Sequence, residues 1–176
     1  MFRLRDYGSV CRPGSGWLAF FTSILVWGVG IGSFQATFNN FLVEFYKIGG
    51  LDRGMLEFLR ETPGVLLIAI LALFHKCSDW QVLRIGTLIS LLAAGLLLIP
   101  VPWMGVVIFI TVWALGEHLV MPVRQSLALS IAREGKGGES LGIVTGAINA
   151  GTVAGSLMVA AVFYAGTRCF GVQDQR

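Results

Sequence analysis

The run from Trp103 to about Ala132 is apolar enough to lie in hydrocarbon, yet its central stretch, WALGEHLVMPVRQSL, carries Glu117, His118, Pro122 and Arg124. No other segment constrains the fold as strongly. A helix that crosses a bilayer needs roughly 20 predominantly apolar residues. An ionised Glu or Arg at its centre costs about 2.5–3.5 kcal/mol, and ten Leu-like residues at about −0.5 kcal/mol each only just offset two of them. Such a helix inserts when its charged side chains face other helices, water or one another. Glu117 and His118 fall near the middle of the run. Arg124 lies two turns, or ~10 Å, further on, on nearly the same face as Glu117. That separation is too long for easy direct pairing, so partners on another helix are expected. Pro122 has no N–H for the carbonyl of His118, and a free carbonyl at this depth needs protein or a watered cavity.

The rest of the chain has the same character. It is 55% hydrophobic and 13% charged, with a mean hydropathy of +0.76, where a soluble domain carries about 25% charged residues. Five segments are long and apolar enough to span, at about residues 16–45, 54–74, 80–99, 103–132 and 139–165. None alternates with period two, which argues against a β-barrel. The expected fold is all-α, a polytopic transmembrane helix bundle of about five spans. A cytoplasmic segment (residues 1–15) precedes it and a polar tail (166–176) follows. Although basic residues precede the first span, its apolar stretch exceeds the 7–15 residues of a signal peptide's core, so it is expected to be retained. The net charge of +3 is mild and unclustered, which gives no reason to expect nucleic acid as a partner. Cys11, Cys77 and Cys169 match no metal or disulfide spacing, and no cofactor or metal is expected.

Basic residues set the orientation. With the N-terminus inside, Arg3, Arg5, Arg12, Lys76, Arg84, Arg133 and Lys136 lie on the cytoplasmic side, against Lys47, Arg53, Arg168 and Arg176 outside. The expected location is the cell (inner) membrane, with the lipid bilayer as the chain's first partner.

Polar residues recur in four of the five spans. Glu57, Arg60 and Glu61 lie in the outer half of the second, just before Pro63-Gly64. Glu57 is one turn from Arg60 and can neutralise it. Glu61 then wants a cation, from Arg124 or from another helix. Gln35 and Asn39 share a face of the first span, and Asn149 sits near the centre of the fifth. The third span has no ionisable side chain after Arg84 and reads as lipid-facing. Gly28 and Gly32 make a GxxxG packing face; the GVGIG run around them follows no strand and is not a nucleotide loop. Gly142, Gly146, Gly151 and Gly155 form a second close-contact face.

Taken in order, these features resemble the N-terminal portion of a major facilitator superfamily transporter, over about Gly16 to Ala165. The resemblance implies an incomplete N-terminal half of that fold, with the first and fourth helices lining a central cavity and the third peripheral. In FHKCSDWQVLRIG, Asp79 matches the acidic residue of the family's cytoplasmic link between helices two and three, with Arg84 after it, which implies a gating role for this link. The Gly142, Gly151 and Gly155 spacing partly fits the family's antiporter signature, with Ser156 where a Pro is usual. A sixth helix and a second half are not in the sequence. The pathway is expected to be completed by that missing C-terminal half or by another chain.

The function expected on this basis is secondary active transport of a small solute by alternating access. Glu117, His118, Arg124, Gln35, Asn39, Glu61 and Asn149 are the candidate residues for solute binding or for a coupling proton. One alternative is a truncated membrane scaffold that transports nothing. Another is an intramembrane enzyme, which the residues support poorly: no HExxH is present, and Ser126 lies two turns from His118.

Overall fold

The computed structural model describes residues 10–12, 14 and 16–170. Among the described residues there are six helices and no strand: α1 Trp17–Tyr46, α2 Gly50–Val65, α3 Leu67–Leu73, α4 Asp79–Leu96, α5 Trp103–Ile131 and α6 Gly137–Phe170. Three are long and apolar enough to cross a membrane: α1 with 30 residues, α5 with 29, and the 32 residues of α6 from Gly137 to Arg168. At about 1.5 Å per residue each exceeds the roughly 30 Å of a bilayer's hydrocarbon.

Local chemistry explains where the helices start and stop. Lys47 ends α1 in the left-handed region, at φ 51°, the usual way to turn a chain out of a helix. Asp52 accepts the N–H of Gly49 at 3.3 Å at the start of α2. Ser78 caps α4 reciprocally, its hydroxyl accepting from the Gln81 N–H while Gln81 Oε1 accepts from the Ser78 N–H at 2.8 Å. This S-x-x-Q capping box starts the helix just before Asp79. Pro100 and Pro102 bar helix continuation, and Pro102 O accepts the first N–H bonds of α5, from Gly105 at 2.8 Å and Val106 at 3.3 Å.

Two of the expected boundaries differ. The second span is not one helix: it breaks at Leu66, between α2 and α3, three residues after Pro63. The polar tail expected from Gly166 is helical through Phe170; residues 171–176 lie outside the described residues, as do Arg3 and Arg5 of the N-terminal segment.

The described residues fall into two compact units, one drawn from Met1–Lys47 and Ile131–Arg176, the other from Ile48–Ser130. In the first, α1 and α6 pack side by side through glycine. A Cβ on Gly28 would meet the carbonyl of Ile148, one on Gly32 that of Thr152, one on Gly151 that of Leu25, and one on Gly155 that of Val29. Contacts advance together along both helices, so α1 and α6 run parallel. Ser33 Oγ donates to Gly155 O at 3.4 Å, and Ser156 Oγ to Gly32 O at 3.2 Å. The GxxxG reading of Gly28 and Gly32 holds. On α6 the close face is Gly151 and Gly155 alone, because Gly142 and Gly146 open onto empty space.

In the second unit α4 runs antiparallel to α5. Gly86 lies against the carbonyl of Gly116, and Gly116 against Ser90. Ser90, almost wholly buried, donates to Trp113 O at 3.0 Å. The opposite side of α4 exposes Leu88, Leu91 and Leu92.

Close approach makes a directional prediction. Gly32→Ala and Gly155→Ala each force a methyl into a backbone carbonyl and should cost about 1–3 kcal/mol. Gly146→Ala meets nothing and should be neutral or gain up to about 1 kcal/mol of helix propensity. Denaturant unfolding in mixed micelles would measure all three; equal losses would remove the close-approach account.

Candidate functional site

Within the second unit, α2 presents its charges at consecutive turns and α5 answers with one imidazole. Arg60 Nη2 lies 2.8 Å from Glu57 Oε2, one turn back. Its Nη2 and Nε donate to Glu61 Oε1 at 3.0 and 3.3 Å. The other carboxylate oxygen of Glu61, Oε2, lies 3.5 Å from His118 Nε2. One carboxylate is thus shared between a cation whose charge is permanent and one that is charged only when protonated. With the proton on, the Glu61–His118 contact is an ion pair; without it, 3.5 Å is at the long limit of a hydrogen bond. The His118 side chain is 19% exposed and that of Glu61 57%, so the acid reaches from the open toward a sheltered ring.

A glycine makes that ring position possible. A Cβ on Gly64 would come within 2.7–3.1 Å of His118 Cε1, Nδ1 and Nε2. The imidazole therefore rests on bare backbone, one turn beyond Glu61 and next to the buried Pro63.

The other sequence candidates are placed as follows. Glu117 and Arg124 are both half-buried on α5, two turns apart. Of the cations expected for Glu61, from Arg124 or from another helix, the structure shows Arg60 beside it and His118 of α5. Gln35 and Asn39 on α1 and Asn149 on α6 are exposed and belong to the other unit. Asp79, in the first turn of α4, accepts from Ser126 Oγ of α5 at 2.6 Å, while Arg84 is exposed. Among the described residues no three His, Cys, Asp or Glu side chains converge as a metal site would require.

Sequence reasoning missed Gly64 and Ser126. Pro63-Gly64 was visible as a helix irregularity, but nothing in it names the ring that fills the notch. Ser126 was weighed only against His118, and nothing signalled its pairing with Asp79, 47 residues away.

What the cluster can do chemically is hold or pass one proton between an acid and an imidazole on different helices, beside a fixed guanidinium. No protein-family model matches the chain, and comparisons with curated proteins and solved structures found no match either. The class the structure defines is therefore that of an all-helical protein with three helices fit to cross a membrane.

The seat of the ring can be tested by a double-mutant cycle. Gly64→Val should destabilise by about 1–3 kcal/mol, and should cost at least about 1 kcal/mol less in a His118→Ala background. Additive losses would put the imidazole elsewhere.

Proposed function

We propose that the chain is the N-terminal part of a secondary transporter of the major facilitator type, in the cell (inner) membrane with its N-terminus cytoplasmic, that moves a small solute by alternating access. The observation that carries this reading is the His118–Glu61 contact, because His118 sits midway along a 29-residue helix long and apolar enough to cross a bilayer. Ionisable groups at such depth are costly and mark solute or proton routes. On this reading Glu61 and His118 hold the coupling proton, and Glu117 and Arg124 offer the solute one charge of each sign. Gln35, Asn39 and Asn149 are the candidate polar positions of α1 and α6. Asp79, tied to Ser126, and Arg84 belong to the gating link. The chain acts as a carrier and not an enzyme, and the second wall of the route comes from a C-terminal half or another chain.

The five-span topology is part of the proposal. Parallel spans must be separated by an odd number of crossings. Since α1 and α6 run parallel, either α5 alone or three spans lie between them. Three fits better: α4 is antiparallel to α5, and α2 with α3 supplies the remaining crossing, bent at Leu66.

Natural Cys77, exposed in the link before α4, makes this measurable. In a Cys11→Ser/Cys169→Ser background, an impermeant maleimide should label Ile48→Cys from one side of the membrane and Cys77 only from the other. Labelling of both from the same side leaves three spans and rejects five.

Transport itself is tested by thermal unfolding of the purified chain with a panel of amino acids, sugars, organic cations and carboxylates. A ligand at 100 times its Kd adds about 2.7 kcal/mol. One class should raise the Tm of the parent chain, and the rise should vanish in His118→Ala and Glu117→Gln. No rise with any class would leave the scaffold reading in its place.

A further inference from the structure

Before α1, three residues reach 120 positions along the chain to close on the α5–α6 turn. Cys11 and Ala132 face each other in an isolated antiparallel bridge. Arg12 N–H donates to Ile131 O at 2.9 Å, and Arg133 N–H to Val10 O at 2.8 Å. Each arginine then adds its side chain to the same seam: Arg12 Nε donates to Ala132 O at 3.2 Å, and Arg133 Nε to Cys11 O at 3.0 Å. The arrangement is reciprocal, with both backbone and guanidinium of each arginine holding the opposite segment. It also meets a need, because the last carbonyls of a helix have no partner within it and α5 ends at Ile131. Beneath the seam lies a small apolar nucleus of Val10, Cys11, Ile131 and Ala132, with Cys11 only 6% exposed. Gly135, at φ 75°, turns the chain back toward α6.

We propose that residues 10–12 are a two-arginine clasp on the α5–α6 turn that opens and closes as a unit, and that its closure is what shelters the Cys11 thiol. A bridge of this length is marginal on its own, as even a full two-stranded hairpin is, so it opens by itself more readily than the helices beside it. An adduct on Cys11 cannot return to a site occupied by a buried thiol facing Ala132. Closed, the thiol is protected twice. It is screened from reagent, and burial pushes its pKa up, with the Arg133 charge drawing it only part of the way back. The protonated form that results is the unreactive one. The clasp holds the end of the helix that carries Glu117, His118 and Arg124, but the inference does not depend on the transport reading.

The test uses the full chain in lipid nanodiscs in a Cys169→Ser background, leaving Cys11 and the exposed Cys77. Reaction with N-ethylmaleimide is followed at each site by peptide mass spectrometry and normalised to the denatured chain. Cys11 should react about 10-fold more slowly than Cys77, an opening equilibrium of order 0.1 or less. Arg12→Met and Arg133→Met keep the length of the side chain but not the donor. Each should speed Cys11 roughly fivefold and leave Cys77 unchanged. In the parent chain, modification at Cys11 should abolish hydrogen-exchange protection of the Arg12 and Arg133 amides. Equal rates at the two cysteines, no response of Cys11 to either arginine, or protected amides in the adduct would each overturn the clasp.

Discussion

Bare backbone is what lets the helices of this chain touch. In hydrocarbon, apolar side chains gain little by leaving lipid for one another, so association depends on close packing and on hydrogen bonds that only short separations permit. Gly28, Gly32, Gly151 and Gly155 bring α1 and α6 to carbonyl contact, and Gly86 and Gly116 do the same for α4 and α5. The serines then act at distances that larger neighbours would forbid. Ser33, Ser156 and Ser90 each give a hydroxyl to a carbonyl of the facing helix. Gly64 applies the same device to a different end, since what it admits is an aromatic ring.

The polar cluster follows from that last contact. Glu57 and Glu61 flank Arg60, so without His118 the α2 group would carry one excess negative charge with no counterpart across the helix contact. The imidazole supplies a matching positive charge when protonated and a weak contact when not. Gly64 sets how near the ring can come, and the division of labour between the two oxygens of Glu61 keeps Arg60 from excluding it.

Features that depend on one helix were legible in the sequence, while features that depend on the distance between helices were not. Gly28 and Gly32 are four apart, and their shared face needs no partner to be seen. Gly142 and Gly146 show the same spacing and pack on nothing, because spacing says which residues share a face and not whether another helix covers it. The unmet charge of Glu61 was readable from Glu57 and Arg60 beside it. Its partner was not: the sequence offered Arg124 or another helix, and His118 emerges only from the fit of its ring at Gly64. The bend in the second span was hinted at by Pro63, whose missing N–H weakens the helix from inside. The clasp of Arg12 and Arg133 left no trace, because three residues pairing across 120 positions have no periodicity.

The bend and the ring's seat coincide, and this ties the cluster to the shape of α2. Pro63 leaves the carbonyl of Leu59 without its helical donor, and Leu66 leaves the α region at φ −86°, ψ 2°. The hydrogen-bond run is nevertheless not cut: Leu66 N–H donates to Thr62 O at 3.2 Å, and Ile70 N–H to Leu66 O at 3.0 Å. α2 and α3 therefore meet at the single residue Leu66, with a helical hydrogen bond on either side of it. The irregular stretch from Pro63 to Leu66 includes Gly64, the surface on which His118 rests. Any change that lifts the imidazole from Gly64 acts at the joint itself, and any change of bend angle moves Glu61, one turn away, relative to the ring. The irregularity of α2 and the seat of the His118 ring thus fall within the same few residues, one turn from the carboxylate that the ring meets at 3.5 Å.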